Sequence, residues 1–204
     1  PATAGTDTVR GNYEGGAGGD VTWDEVGKSS LGDIELNDLG TQLYVVNMAD
    51  RQLYTIPTSG ALTSATITRL PIPHPCANLA DARPFGLEYR NGVLYVGGVC
   101  SAQSTNTAAN LRAYVYAYDV TAGTFGATPA FEFALNYPRA ATNDDAIHDP
   151  SGDALWRPWS ATENTASSLP EPMLSDLAFD GADMVLGFRD RHGAHRSAYR
   201  GVDR

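Results

Sequence analysis

Five charged side chains stand where their chemistry could converge. Asp33, Arg83 and Asp176 open strand-like segments, and Glu35 and Glu88 lie a little further along theirs. Carboxylates gathered at the mouth of a channel could hold Ca²⁺ through oxygen ligands, or position a water for lactone or ester hydrolysis. The same residue types have a structural reading: a short side chain caps exposed backbone at each strand start, with Arg83 neutralising the group. A second acidic cluster runs from Asn143 to Asp153, with Asp144, Asp145, Asp149 and Asp153 as candidate calcium ligands. It lacks the regular acidic spacing of an EF-hand loop, so a solvated insertion is the competing reading. Trp156 and Trp159 follow in LWRPWS. On an exposed loop they would stack on sugar rings; otherwise they pack the loop onto the body of the fold.

Other chemistry is not encoded locally. The sequence has no GxSxG elbow, no HExxH and no phosphate-binding glycine loop. Its four histidines, at 74, 148, 192 and 195, are scattered. A Ser-His-Asp triad assembles in space rather than in sequence, but nothing here points to one. Cys76 and Cys100 sit in no CxxC or histidine-rich context, which argues against zinc and thioredoxin-like chemistry. Cys76 precedes one strand-like run and Cys100 ends the next, so a hairpin would bring them together. In an oxidising compartment a disulfide is expected, contributing roughly 3 kcal/mol by chain entropy; two separate buried thiols are the alternative.

The elements that must position these residues are short strands. The 204-residue chain has 42% hydrophobic and 19% charged residues, with 21 glycines and 12 prolines. That mix suits many strands joined by turns, and no apolar run is long enough for a membrane helix. A net charge of −10 repels phosphate backbones and argues against nucleic acid as a partner. Lys28 is the only lysine, and five arginines (Arg189, Arg191, Arg196, Arg200, Arg204) crowd the last sixteen residues, where a solvated strand end and tail is expected and a bidentate anion site is the alternative. With no apolar signal segment at the start, export would require a leader already removed or a larger precursor.

Three segments share one pattern: GDIEL…LG…LYVVN from Gly32, FGLEY…NG…LYVGG from Phe85, and SDLAF…DGA…MVLGF from Ser175. In each, an alternating strand meets a glycine-containing turn and then a more continuously apolar strand, as when the second strand is covered on both faces. Asn91-Gly92 is the strongest turn signal, because both residues tolerate the positive φ of a type I′ hairpin. Further strand-like runs follow at 52–56, 66–72, 111–120 and 130–137. Ile34, Leu87 and Leu177 fall at equivalent places. Repeated three- or four-stranded meanders predict an all-β fold, a partial β-propeller with two nearly complete four-stranded blades and part of a third. A β-sandwich is the alternative. The domain reading is a Gly-rich segment over 1–30 and blades over 31–204, interrupted by an insertion at 139–172.

The stretch LGDIELNDLGTQLYVVNMADRQLYTIP resembles a blade of large bacterial surface proteins that pair a β-propeller with SdrD-like B-type repeat domains. RPFGLEYRNGVLYVGGVCSA, LRAYVYAYD, FEFALNYPR and PEPMLSDLAFDGADMVLGFRDRHG are similar to the following blades, over about residues 30–193. LYVVN is also similar to the strand motif of surface-layer YVTN propellers. The resemblance implies a propeller that continues on both sides of this stretch, a secreted or cell-surface location, and no catalytic motif. The expected function is a non-enzymatic module for structural assembly, adhesion or matrix contacts. Its partners would be the remaining blades or another chain, with surface polysaccharide or self-assembly as further possibilities. A calcium-dependent lactonase-like hydrolase and a carbohydrate-binding propeller are the alternatives.

Overall fold

The computed structural model describes residues 23–64, 66–137, 155–162 and 170–191. Among these run eleven β-strands and three single-turn 3₁₀ helices, and the strands form three antiparallel sheets. The first sheet is a meander of β1 (Leu31–Leu36), β2 (Gln42–Asn47), β3 (Gln52–Pro57) and β4 (Thr68–Pro71). The second holds β5 (Ala82–Arg90), β6 (Val93–Cys100) and β7 (Arg112–Asp119). Its outer edge is shared by two short strands on β7: β8 (Thr124–Phe125) and β9 (Phe131–Ala134). The third is the hairpin of β10 (Pro172–Asp180) and β11 (Asp183–Asp190). The described residues are thus all-β with antiparallel sheets, and they do not close into a ring. The outermost strands expected at 66–72 and 130–137 are shorter than the sequence pattern suggests, pairing only over 68–71 and 131–134.

Equivalence among the three hairpins extends to register. Ile34 pairs with Val45, Leu87 with Val96 and Leu177 with Leu186. Each first strand also carries a register shift just before that residue, between Leu31 and Ile34, Pro84 and Leu87, and Leu174 and Asp176. Such a bulge adds one residue and increases local twist. It also brings neighbouring sheets close together. A Cβ on Gly32 of β1 would stand 2.9 Å from the Phe85 carbonyl oxygen of β5, and one on Gly86 of β5 would stand 3.2 Å from the Asp176 backbone nitrogen of β10. Only glycine permits these approaches without displacing backbone. At the β5–β6 turn, Asn91 and Gly92 have φ of 51° and 82°, as the type I′ reading of that dipeptide requires.

Alternation along the strands decides which sheet each side chain meets. Tyr44 and Val46 of the first sheet pack with Leu87, Leu94 and Val96 of the second in one apolar cluster. On the opposite face of the second sheet, Val99 and Val115 pack with Leu174 and Leu177 of the third. Leu87 and Leu177 therefore each face back onto the preceding sheet, and both are buried. Ile34, their register equivalent, is 49% exposed. Its environment differs for one reason: no described sheet precedes the first. The mirror case is Val185, equivalent in register to buried Tyr44 but 52% exposed, because no described sheet follows the third.

Candidate functional site

The first strands of the three sheets lie in sequence β1, β5, β10, with the charged residues singled out above on or near them. The half-buried Asp33 carboxylate accepts from the Ile34 N–H at 2.8 Å through Oδ1 and from the Leu87 N–H at 3.0 Å through Oδ2. It satisfies backbone freed by the bulge and ties the first sheet to the second, which is the capping role. Asp176 is exposed and close enough to Glu35 and Glu88 to act on both. Burial pushes the Glu35 carboxyl up, helped by Glu88, Asp33 and Asp176, and burial likewise pushes up Glu88, helped by Asp176 and Asp33. Mutually repelling carboxylates thus line these strands. Among the described residues, however, no three His, Cys, Asp or Glu side chains are arranged to hold a metal ion.

Arg83 does not stand in this group as a neutralising partner. Its side chain is buried, Nη1 donating to the Ala82 carbonyl at 2.9 Å and Nη2 to Gln103 Oε1 at 3.3 Å. It makes no ion pair among the described residues. Burial pulls its guanidinium down to about 10, against the attraction of Asp81, and Arg51 adds to the fall. Asp81 itself is occupied by the Ser104 N–H and hydroxyl, at 2.8 and 2.6 Å, and by the Ser101 hydroxyl.

Trp156 and Trp159 are 5% and 3% exposed and belong to the core between the second and third sheets. The Trp159 Nε1–H donates to the Pro172 carbonyl at 2.9 Å. An exposed sugar-stacking surface is therefore not what these rings provide: residues 155–162 return from the insertion and pack onto the body. Asp144, Asp145, Asp149 and Asp153 lie outside the described residues. Cys76 and Cys100 form the disulfide, with Cα atoms 5.3 Å apart, joining the segment before β5 to the end of β6.

The most connected polar group of the described structure is one that sequence reasoning placed in a solvated tail. Arg191 is fully buried. Its Nε donates to the Val26 carbonyl at 2.8 Å and Nη2 to the Trp23 carbonyl at 2.6 Å. Nη1 donates to the Ser160 carbonyl at 2.8 Å and to Glu171 Oε2 at 2.7 Å. The guanidinium carbon lies 4.4 Å from the Trp23 ring centre and 4.5 Å from that of Trp159. Burial pulls the guanidinium down and pushes the Glu171 carboxyl up, although each stabilises the other's charge. Arg191 joins three segments up to 168 residues apart, a separation that leaves no local signal. This corrects the solvated-tail reading for Arg191; the arginines at 196, 200 and 204 lie outside the described residues.

No family model and no solved structure matches the chain. Among curated proteins it is similar to the colossins of Dictyostelium discoideum. It is 27% identical to Colossin-A over 194 residues, covering 94% of this chain and 2% of that protein. It is 27% identical to Colossin-D over 183 residues, 89% of this chain and 17% of that protein. It is 26% identical to Colossin-C over 170 residues, 82% and 16%. The chain thus spans a small part of the length of the curated relatives it matches. These relatives give no support to a bacterial source.

Proposed function

We propose that this chain is a run of β-propeller blades within a longer secreted or cell-surface protein, acting as a non-enzymatic module of assembly, adhesion or matrix contact. One observation carries the reading: three hairpins of matched register and matched bulge, each facing the next, with uncovered apolar positions at both ends of the row. Ile34, Leu31 and Leu36 on the first sheet and Val185 on the last are exposed where their equivalents in the middle are covered. Further blades on either side would cover them, and the great length of the colossins supports such continuation. The disulfide supports an oxidising compartment. No helix among the described residues is long and apolar enough to cross a membrane.

The test is a pair of substitutions, Ile34→Asp and Val185→Asp, made in this chain and in the longer protein that contains it. Covering an exposed aliphatic side chain is worth about 1.5–3 kcal/mol when complete. Both substitutions should leave the isolated chain's stability nearly unchanged while reducing its self-association in sedimentation velocity. In the longer protein each should lower the melting temperature. Unaltered stability there would overturn the reading, since uncovered faces cannot be blade interfaces.

A further inference from the structure

Between the 3₁₀ turn at Trp23–Glu25 and the first two sheets lies an open cleft of about 640 Å³, lined in part by Lys28, Arg51, Asn78 and Arg83. Three cations line a single recess in a chain of net charge −10. Glu25 is the one carboxylate among the described lining residues. Lys28 pairs with Asp24, but the two arginines have no ion-pair partner among the described residues. Their neighbours in sequence are otherwise engaged. Asp50 accepts from the Tyr54 hydroxyl at 2.7 Å and the Gln52 N–H at 3.1 Å, and Asp81 is taken up by Ser101 and Ser104. The Nε atoms of both Arg51 and Arg83 are buried without a hydrogen-bond partner, and the Arg83 side chain is more than nine-tenths buried. Asn78 uses Oδ1 on the Ala80 N–H, leaving its amide nitrogen as a further donor at the wall.

Buried or half-buried guanidinium groups are ordinarily matched by a carboxylate or phosphate, because planar N–H donors left unpaired cost the full desolvation of the charge. Arg83 has the Ala82 carbonyl, Gln103, the Trp159 ring 5.3 Å from its guanidinium carbon and the attraction of Asp81, but neither arginine has a carboxylate paired with it among the described residues, and the two repel each other. We propose that the cleft is an anion-binding site taking an oxyanion, a carboxylate or sulfate group, with Arg51 as the principal accessible ligand, Arg83 as the buried charge behind it, and Lys28 and Asn78 at the wall. The site is separate from the acidic strands around Asp33 and does not depend on the blade reading. Its ligand would be a small anion or an acidic sugar, since the overall negative charge opposes extended polyanions.

The experiment is calorimetric titration of the chain with inorganic sulfate, with glucuronate and with glucose, at constant ionic strength held by chloride. Saturable binding of sulfate or glucuronate, and none of glucose, is expected. Glucuronate binding would assign the oxyanion to a carboxylated sugar, and sulfate binding alone to a tetrahedral anion. Arg51→Gln should weaken either by at least about tenfold, the loss of one charge-assisted pair. Because Arg83 is packed in the core, the second variant is Ala80→Glu, which adds a carboxylate to the wall and should abolish binding with an unchanged circular dichroism spectrum. Absence of saturable binding by both anions, or affinity unaltered in both variants, would overturn the proposal.

Discussion

Removing Arg191 should cost this protein as much as truncating a large aliphatic core side chain. Its guanidinium gives up all contact with water and donates four hydrogen bonds, three of them to backbone carbonyls. In Arg191→Met the Val26 carbonyl loses its donor, the Trp23 and Ser160 carbonyls keep only the Val26 N–H and the Trp23 indole N–H, and Glu171, itself 2% exposed, keeps only the Ser160 N–H at 2.8 Å. Breaking a buried pair on one side typically costs about 3–5 kcal/mol, because the remaining charge stays buried without compensation. Glu171→Gln should cost less, since burial already pushes the carboxyl up and the amide oxygen can still accept from Arg191, although the Ser160 N–H then loses the acceptor that the other carboxylate oxygen provides. The decisive variant is the double one. If uncompensated charge dominates, Arg191→Met with Glu171→Gln should recover about 1–3 kcal/mol relative to the sum of the single effects. Urea denaturation followed by tryptophan fluorescence measures all four proteins, and Trp23 and Trp159 flank the group and report on it directly. Strict additivity would refute the charge argument and assign the cost to lost packing and carbonyl bonds alone. A single-variant cost below about 1 kcal/mol, the scale of exposed pairs, would refute the burial itself.

Two other perturbations test separate parts of the fold. The Cys76–Cys100 bond closes a loop of 24 residues, so Cys76→Ser with Cys100→Ser should lower stability by about 3 kcal/mol in chemical denaturation, and an equal midpoint for oxidised and reduced wild type would contradict this. Glu35 has a folded-state carboxyl raised by burial and by its acidic neighbours. A raised value means the folded state binds the proton more tightly, so this group's contribution favours folding below its unfolded value and is lost as pH rises through the folded one. Glu35→Gln should therefore raise stability at pH 7 by a screened effect of less than about 0.5 kcal/mol, seen as a small rise in melting temperature, with the advantage gone by about pH 4. A larger gain in acid than at neutrality would reverse the sign of the argument.

The parts of this fold carried by local pattern were legible, and those carried by distant contacts were not. Alternation in GDIEL and FGLEY and the run in LYVGG locate the paired strands, because a strand's side-chain period is fixed by backbone geometry. Asn91-Gly92 gives the turn for the same local reason. Trp156 and Trp159 show the limit. Nothing within LWRPWS distinguishes a ring offered to a sugar from one inserted between two sheets, since that depends on whether residues 155–162 fold back beneath Pro172. Arg191 is the stronger case. Arginine at a strand end is ordinarily solvated, and its burial here is made tolerable by Trp23 and Val26, Ser160 and Glu171, which arrive from three separate segments.

The charged residues around the first strands follow from the same geometry. A bulge releases backbone N–H groups from the ladder, and a residue placed beside it must accept them. Asp33 does so across the gap between two sheets, which explains an acidic residue at that position without any ligand. Each added sheet then brings a further carboxylate to the same side, and Glu35, Glu88 and Asp176 come to repel one another. The acidic lining is thus a by-product of repeating one hairpin. The arginine cleft has no such origin: Arg51 belongs to the turn between β2 and β3 and Arg83 to β5, their positions are not repeats of one another, and the one backbone group that Arg83 serves, the Ala82 carbonyl, leaves its Nε and that of Arg51 unpartnered. A cost that architecture does not impose is the place to look for a ligand.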